Sequence, residues 1–309
     1  MPYNNIITRT GAQALIPEDV AAAMLGGVAQ ESAALAAFRR VTIARNQQRI
    51  PVLSAFPTAY FVNGDTGLKD TTEMSWANKY LNVEELAAIV PIAESVLDDA
   101  GFNVWDEVMP RLEEAVARAL DAAIFFGTNK PASWPGAVVP AAVAAGNVVA
   151  RGTNTSANGG IAADISQLYG TIEADGYDVN GVIANRTYRG YSRNVRDSTG
   201  QPINDIFYGA TPTYPLRGLW PTGLSAAELI AGDFTEGIIG VRQDFTYKVL
   251  DQAVIQNGTG VIQYNLAQQD MIALRITFRV GFQVANVVNF DQATEASRYP
   301  FGVLRSPAA

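Results

Sequence analysis

The chain contains no cysteine and no histidine among its 309 residues. Without cysteine it has no disulfide, no thiolate nucleophile and no thiolate ligand for a metal. Without histidine it lacks the commonest general base, the usual nitrogen ligand of metals and every serine–histidine triad. An enzyme built from this chain would depend on carboxylates, lysine, tyrosine or a bound cofactor. We therefore expect no catalytic residue, no cofactor and no metal site.

Positive charge is also scarce, because 22 lysines and arginines stand against 30 acidic residues and give a net charge of -8. The chain as a whole therefore does not attract nucleic acid or anionic lipid electrostatically, although its charge is compatible with a local basic patch. The longest uncharged run, residues 131–150, is interrupted by prolines and glycines, which argues against a membrane helix. The N-terminus shows no basic-then-apolar secretion signal. A hydrophobic content of 48% still predicts an ordered chain with a core.

Two extended runs dominate the first third of the chain. Residues 16–40 predict an alanine-rich helix that begins at Pro17-Glu18-Asp19. The run RIPVLSAFPTAYFV follows, and its two prolines confine it to a sheet edge or an arm. A second run covers residues 74–92. Together they predict a β-hairpin on the order of 40 Å long, which is only marginally stable alone and needs support from elsewhere, such as another subunit.

Residues 103–127 predict a long amphipathic helix, with an apolar residue at every fourth position, Asn103 as a cap and Gly127 at its end. Pro110 is expected to kink it or to mark the start of its main part. The second half predicts helices over 164–174 and 186–196, a buried strand in VNGVIAN and a turn in DSTGQPI. IALRITFRVGF shows the clearest strand alternation. The fold class is therefore α+β with a projecting β-arm.

The segment NGDTGLKDTT, residues 63–72, has a composition that suggests a phosphate or cation loop. Its glycine and lysine spacing fails the Walker pattern, and its oxygen-ligand spacing fails the EF-hand pattern. We interpret it as the turn at the end of the hairpin. The adjacent carboxylates Asp98-Asp99 and Glu113-Glu114 are more simply solvated faces than acid–base pairs, because no histidine or partner motif accompanies them.

Two sets of residues are candidates for contacts with other molecules. Arg39, Arg40, Arg45 and Arg49 form the basic cluster, which fits a neighbour's acidic surface, packaged nucleic acid or an ordinary solvated helix end. Aromatic residues flank the hairpin, where they would be core at its base and interface anchors farther out. The predicted hairpin contacts with another subunit are Tyr60, Phe61, Lys69, Asp70 and Trp76, with Tyr80 as a packing residue.

The order of these elements resembles the major capsid proteins of tailed phages, whose shell fold is named after phage HK-ninety-seven and is shared by encapsulins. The matching segments run along nearly the whole chain. They are LIPEDV, SAALAAFRR, RIPV, AYFVNGD, LAAIVPIAESVLDDA, LDAAIFFG, VIANRTYRGYSRNVRDSTGQPI, LRGLWP, GDFTEGIIGVRQDFTYKV and DMIALRITFRVGFQV. Each segment is weak alone, and the order and spacing of all of them carry the resemblance.

The resemblance implies an N-terminal arm over residues 1–45 and an extended loop over 46–92 that lies on a neighbouring subunit. A peripheral domain would comprise 93–150 and 251–290, with the helix from Asn103 as its spine. An axial domain would comprise 151–250 and 291–309. Arg39, Arg40 and Arg45 would then be contacts of the N-terminal arm. The chain would assemble in the host bacterial cytoplasm, as hexamers and pentamers, into an icosahedral shell around double-stranded DNA.

The resemblance also bears on partners. Some shells of this family join a lysine of the extended loop to an asparagine of a neighbour, promoted by a glutamate. Here Lys69 could supply the lysine, but Asp270 and Thr277 occupy the other two positions, so no crosslink is expected. A separate scaffolding protein, a portal and decoration proteins are the expected partners, with no membrane. Two alternatives stay open: an encapsulin-type compartment shell, and a carboxylate-dependent α/β enzyme or metal-binding module.

Overall fold

The computed structural model describes residues 32–62, 67–69, 71–99, 104–155, 158–197, 199–203, 205–213 and 216–307. Within these residues the chain forms two five-stranded sheets, a two-stranded ribbon and helices packed against the sheets. The helices are α1 Ala33–Ala37, α2 Glu94–Asp99, α3 Val104–Asp121, α4 Val138–Ala145, α5 Gly160–Ala174 and α6 Tyr188–Asn194. The strands are β1 Arg39–Thr42, β2 Gln47–Ala55, β3 Ser75–Ala93, β4 Val148–Ala150, β5 Gly181–Ala184, β6 Thr211–Thr213, β7 Ala227–Gly232, β8 Gly237–Leu250, β9 Val254–Gln256, β10 Ile262–Asn265, β11 Met271–Val284 and β12 Phe301–Arg305. The predicted α+β class is confirmed.

The first sheet has the strand order β1-β8-β11-β3-β2. β11 is central and pairs antiparallel with β3 and with β8, while β1 joins β8 in parallel. β2 pairs antiparallel with β3 and lies at the edge, where Pro51 interrupts no ladder on its outer side. The alternation predicted for β11 is confirmed, because Leu274, Ile276 and Phe278 are all buried on one face. The predicted hairpin of two long runs is confirmed as well.

The second sheet has the strand order β4-β12-β7-β5-β6 and is buried on both faces. Ile183, Ile230 and Val303 point to one side, into the core shared with α3 and α4. Val182 and Leu229 point to the other side, where α5 and α6 cover them. A strand covered on both faces needs apolar residues at consecutive positions, which is why VNGVIAN lacks alternation.

Helix α3 supports the first sheet and buries Leu112, Val116 and Leu120, as the four-residue spacing predicts. The helix is continuous across Pro110 from Val104 to Asp121 and continues as a π-helical turn over Ala122–Phe126. Gly127 then takes φ 79°, a left-handed conformation that glycine adopts without strain. Asn103, the predicted cap, lies outside the described residues.

Phe38 joins the two sheets. Its ring contacts the rings of Phe125, Phe234, Phe282 and Phe301 at centroid distances of 5.5 to 5.8 Å. This anchoring ends α1 at Ala37 and starts β1, whose backbone pairs with residues 238–241 of β8. Arg39 and Arg40 therefore lie in a strand, and the prediction of a helix extending to residue 40 is wrong at this end. Residues 16–31 of that predicted helix lie outside the described residues.

Strand pairing joins residues from different ranges of the division that the resemblance implies. Residues 237–250 were assigned by resemblance to the axial range, but as β8 they are hydrogen-bonded to β11 along nearly its full length. β4 was assigned to the peripheral range, but it pairs with β12 in the second sheet. The range 291–309 contributes β12 to the second sheet, where it lies between β4 and β7. The terminal segment therefore completes the sheet formed by the middle of the chain.

Candidate functional site

The hairpin formed by β2 and β3 projects from the edge of the first sheet. Its strands are paired from Gln47↔Asn82 to Ala55↔Ser75, and the hydroxyls of Ser54 and Ser75 are 2.8 Å apart at the outer end of this ladder. Residues 56–62 and 71–74 continue beyond the ladder without regular pairing. At about 3.3 Å per residue, residues 56–62 extend the hairpin by at most about 23 Å, and residues 71–74 by at most about 13 Å.

The outer part of the hairpin exposes large apolar side chains. Phe61 is fully exposed, Leu68 is 88% exposed and Trp76 is 63% exposed. Tyr60 and Tyr80 are also exposed, at 43% and 46%. A large aromatic side chain left in water forfeits about 1.5–3 kcal/mol of burial free energy. Exposed apolar clusters of this kind are typical of surfaces that bind another protein.

The charged residues predicted to make contacts fall into separate places. Lys69 is exposed and makes no ion pair with any described residue, whereas Asp70 lies outside the described residues. Arg39 and Arg40 are exposed on β1, at the sheet edge opposite to β2, and the Nε of Arg40 donates to the carbonyl of Leu35 at 2.7 Å. Arg45 is exposed in the bend between β1 and β2. The structure thus does not bring the arginines of β1 together with the hairpin end.

The hairpin is fastened to the segment 286–298 within its paired part and just beyond the outer end of that part, a connection that the sequence did not suggest. The ring of Phe56 stacks on that of Phe290 with centroids 4.1 Å apart and planes within 13°. Lys79 on β3 forms an ion pair with Glu295, and this lysine lowers the pKa of the Glu295 carboxyl. We call these two contacts the hairpin brace. Phe290 and Glu295 belong to an irregular segment with no periodic pattern, so no sequence signal marks them.

The segment that holds the brace is itself fixed by a buried arginine. Arg298 is only 4% exposed, and its guanidinium donates to the side chain and carbonyl of Asn286 and to the carbonyls of Gln292 and Ala293. The Tyr177 hydroxyl donates to the Asn286 side chain at 2.9 Å, and burial raises the pKa of that tyrosine. The hairpin is therefore braced against a hydrogen-bonded loop and not against a flexible one.

The two pairs of adjacent carboxylates that were weighed as acid–base pairs differ in their surroundings. Glu113 accepts from the Tyr247 hydroxyl, and Glu114 lies 3.3 Å from the Arg111 guanidinium. Asp98 and Asp99 are exposed at the end of α2. Among the described residues no group of three or more acidic side chains could hold a metal ion. The described helices include none that is long and apolar enough to cross a membrane.

Comparisons with known proteins agree with one another. The sequence model of the Phage capsid family matches residues 12–290. The chain is 28% identical over 249 residues to the major capsid protein of Staphylococcus phage 80alpha, covering 78% of this chain and 73% of that protein. A solved chain from Microbacterium phage Oxtober96 is 37% identical with a TM-score of 0.85, covering 98% of this chain and all of the other. One from Mycobacterium phage Bobi is 32% identical with a TM-score of 0.86, covering 99% and 100%. The compartment-shell and enzyme hypotheses are therefore not favoured.

Proposed function

The chain belongs to the phage capsid family, and from that premise we propose that its copies assemble as hexamers and pentamers into the icosahedral head shell of a tailed double-stranded DNA phage. It is a structural protein of the virion capsid. The observation that supports self-assembly most directly is the hairpin, whose apolar end stays exposed within the described part of the chain. A neighbouring copy is the partner that a shell supplies at every position.

In this proposal the hairpin end, with Tyr60, Phe61, Lys69, Asp70 and Trp76, lies on an adjacent subunit. The peripheral domain comprises residues 93–150 and 251–290, with α3 as its spine. The axial domain comprises residues 151–250 and 291–309 and lies around the five-fold and six-fold axes. Arg39, Arg40 and Arg45 contact a neighbour as part of the N-terminal arm over residues 1–45.

The remaining parts of the proposal concern partners. Assembly takes place in the host bacterial cytoplasm around a separate scaffolding protein, with a portal at one vertex, and the procapsid then matures as DNA enters. The net charge of -8 supports enclosure of DNA without sequence-specific binding. Decoration proteins bind the outside. The absence of histidine and cysteine supports a purely structural role without catalysis.

Deleting residues 63–72 tests the hairpin's role. We expect the variant to fold, because these residues lie beyond the paired part of the hairpin, but to form few or no shells. Particle size by light scattering and negative-stain microscopy measures assembly, and circular dichroism measures folding. A variant that assembles as the wild type does would refute the proposed hairpin contact.

A milder change keeps the chain length. Phe61→Ser and Leu68→Ser remove exposed apolar surface, so they should leave the melting temperature of the subunit unchanged and reduce shell yield. Leu224→Ser is the matched control, because Leu224 is 70% exposed and lies outside the hairpin. Equal losses of yield in all three variants would count against a specific role of the hairpin.

The proposed absence of a covalent crosslink has its own test. Asp270 precedes β11, and Thr277 lies within it opposite Ala87 of β3. Asp270 has a carboxylate where the crosslinking relatives have the asparagine amide. Thr277 has a hydroxyl where they have the glutamate carboxylate. Mature particles boiled in detergent should run as a single band at the subunit mass. A ladder of dimers and higher oligomers would refute the proposal.

A further inference from the structure

Two arginines line one cavity, and a third lies beside it. Arg186 follows β5, Arg217 follows β6, and both line a cavity of about 340 Å³ together with Asn185, Leu216, Gly218 and Trp220. Arg118, on the exposed side of α3, places its Nη2 atom 3.4 Å from the position that a Cβ would take at Gly218. We call this cavity with its three arginines the arginine pocket.

The arginine pocket has positive charge without compensation. Within the described part of the chain no carboxylate lies within ion-pair distance of Arg118, Arg186 or Arg217, and no acidic residue lines the cavity. The carbonyl oxygen of the Asn185 side chain already accepts from Thr187, so its amide group adds a further donor. Like charges held together repel one another, and an anion relieves that repulsion. In a chain of net charge -8 this concentration of guanidinium groups marks an anion site.

The lining of the pocket also includes apolar side chains. Leu216 is buried, and Trp220 makes an edge-to-face contact with Phe126 at 5.7 Å between centroids. A site lined by guanidinium groups and by an indole and a leucine fits a partner that carries carboxylates next to apolar side chains. It suits a free inorganic anion less well, because such an anion would leave the indole and the leucine uncovered.

The hairpin end has the complementary chemistry. Residues 63–74 contain three acidic residues and one lysine, and the acidic residue within the described part, Glu73, is exposed and makes no ion pair there. Phe61, Leu68 and Trp76 provide exposed apolar surface beside it. Both surfaces therefore combine apolar groups with charge of opposite sign. Both also lack a partner of that kind within the described residues of their own chain.

We propose that the arginine pocket of one subunit receives the acidic, apolar end of the hairpin of the next. This inference rests on the proposed role of the hairpin and names the surface on which it lands. Because pocket and hairpin end are different surfaces, the contact is head-to-tail and repeats from copy to copy, which closes a ring when the rotation between copies permits. Opposite charge on the two surfaces also fixes the orientation of each contact.

Charge reversal tests the contact in the full-length chain. Arg186→Glu and Arg217→Glu should each lower the yield of shells by about tenfold or more, because each places like charges in the interface. Arg193→Glu is the matched control, since Arg193 is exposed on α6 and does not line the pocket. Adding Glu73→Arg or Asp70→Arg to Arg217→Glu should restore much of the yield, because only a direct pairing is repaired by the opposite change.

Several outcomes would overturn the inference. If both pocket variants assemble as the wild type does while deletion of residues 63–72 abolishes shells, the hairpin contacts a neighbour elsewhere. If shells form normally but contain less nucleic acid, the pocket binds phosphates. If neither Glu73→Arg nor Asp70→Arg restores yield, the pocket has another partner. Should Arg217→Glu fail to fold by circular dichroism, Arg217→Gln replaces it, with a smaller loss of yield at an unchanged melting temperature as the expected result.

Discussion

Replacing Asp121 by alanine should detach the short helix α1 from the body of the subunit. Asp121 is completely buried at the end of α3, and its carboxylate accepts three hydrogen bonds. They come from the Ser32 hydroxyl at 2.6 Å, the Ala33 amide at 2.9 Å and the Ala34 amide at 3.0 Å. These bonds satisfy amides at the start of α1, which no helical carbonyl can reach. The alanine variant leaves all three donors buried without an acceptor.

The size of the effect follows from these contacts. Each net hydrogen bond contributes about 0.5–1.5 kcal/mol, and a buried donor left unpaired costs about 1–3 kcal/mol. The burial of a carboxylate is itself unfavourable, and removing it returns part of that free energy. We therefore expect Asp121→Ala to lower the free energy of unfolding by about 2–4 kcal/mol. For a chain of this length the melting temperature should fall by roughly 5–10 °C.

The pH dependence has a definite sign. Burial raises the pKa of Asp121 above its ordinary value of 3.8, and the three hydrogen bonds offset only part of that rise. A raised pKa means that the folded state binds a proton more readily than the unfolded state does. The wild type therefore gains stability from this carboxyl as pH falls through its folded value, and the variant does not. The difference between the two proteins should widen between pH 7 and pH 4.

Calorimetry of unassembled subunits measures the melting temperatures, and hydrogen exchange of residues 33–37 reports whether α1 has come loose. Asp178→Ala is the control, because Asp178 is exposed and such changes usually stay within about 0.5 kcal/mol. A shift of less than about 1 °C with unchanged exchange in α1 would refute the reasoning. So would a difference between wild type and variant that closes on acidification.

Further predictions concern packing and the hairpin brace. Gly232→Ala should cost about 1–3 kcal/mol in a urea titration, because its Cβ would lie 2.3 Å from the backbone carbonyl that precedes β12. Gly170→Ala should instead raise the free energy of unfolding by about 0.5–1 kcal/mol, because Gly170 lies in the middle of α5 and its Cβ would contact nothing within 4 Å. A change of the same sign in both variants would contradict this prediction. Phe290→Ala should speed hydrogen exchange in β2 without lowering the melting temperature. Unchanged exchange would show that the hairpin brace does not stabilise β2. Because Lys79 lowers the pKa of Glu295, the ion pair contributes above the ordinary glutamate value of 4.5 and is lost as pH falls through the folded value. The protection factors of the β2 amides, which are corrected for the slower intrinsic exchange in acid, should therefore fall in acid, but not in a Lys79→Met variant.

Local patterns predicted several elements correctly because the forces that form them act over a few residues. The alternation in β11, the four-residue spacing in α3 and Gly127 at its end each record one buried face or one backbone conformation. Pro51 of β2 likewise records an edge. At Arg39 and Arg40, by contrast, the local pattern gave the wrong element. Their local sequence favours helix, and the pairing of β1 with β8 together with the burial of Phe38 overrides it.

The candidate site was predictable only in part for the same reason. Exposed aromatic residues on a two-stranded arm indicate a contact, and the structure exposes Phe61 and Trp76. The partners of the hairpin brace could not be found this way, because Phe56 and Phe290 are distant along the chain and meet only in the folded structure. Arg118, Arg186 and Arg217 are also distant along the chain, and none of them stands in a charge run.

By itself, the sequence determined the class of the protein: an ordered α+β chain with a long arm, without the residues that most catalysis and metal binding require. Those properties depend on composition and on short-range periodicity, which a linear chain displays in full. Tertiary structure alone decided that β8 belongs with β11, that a buried arginine fixes the loop bracing the hairpin, and that Arg186 and Arg217 share one cavity with Arg118 beside it. Such groupings arise because burial brings together whichever residues the topology allows, at distances along the chain that no local pattern encodes.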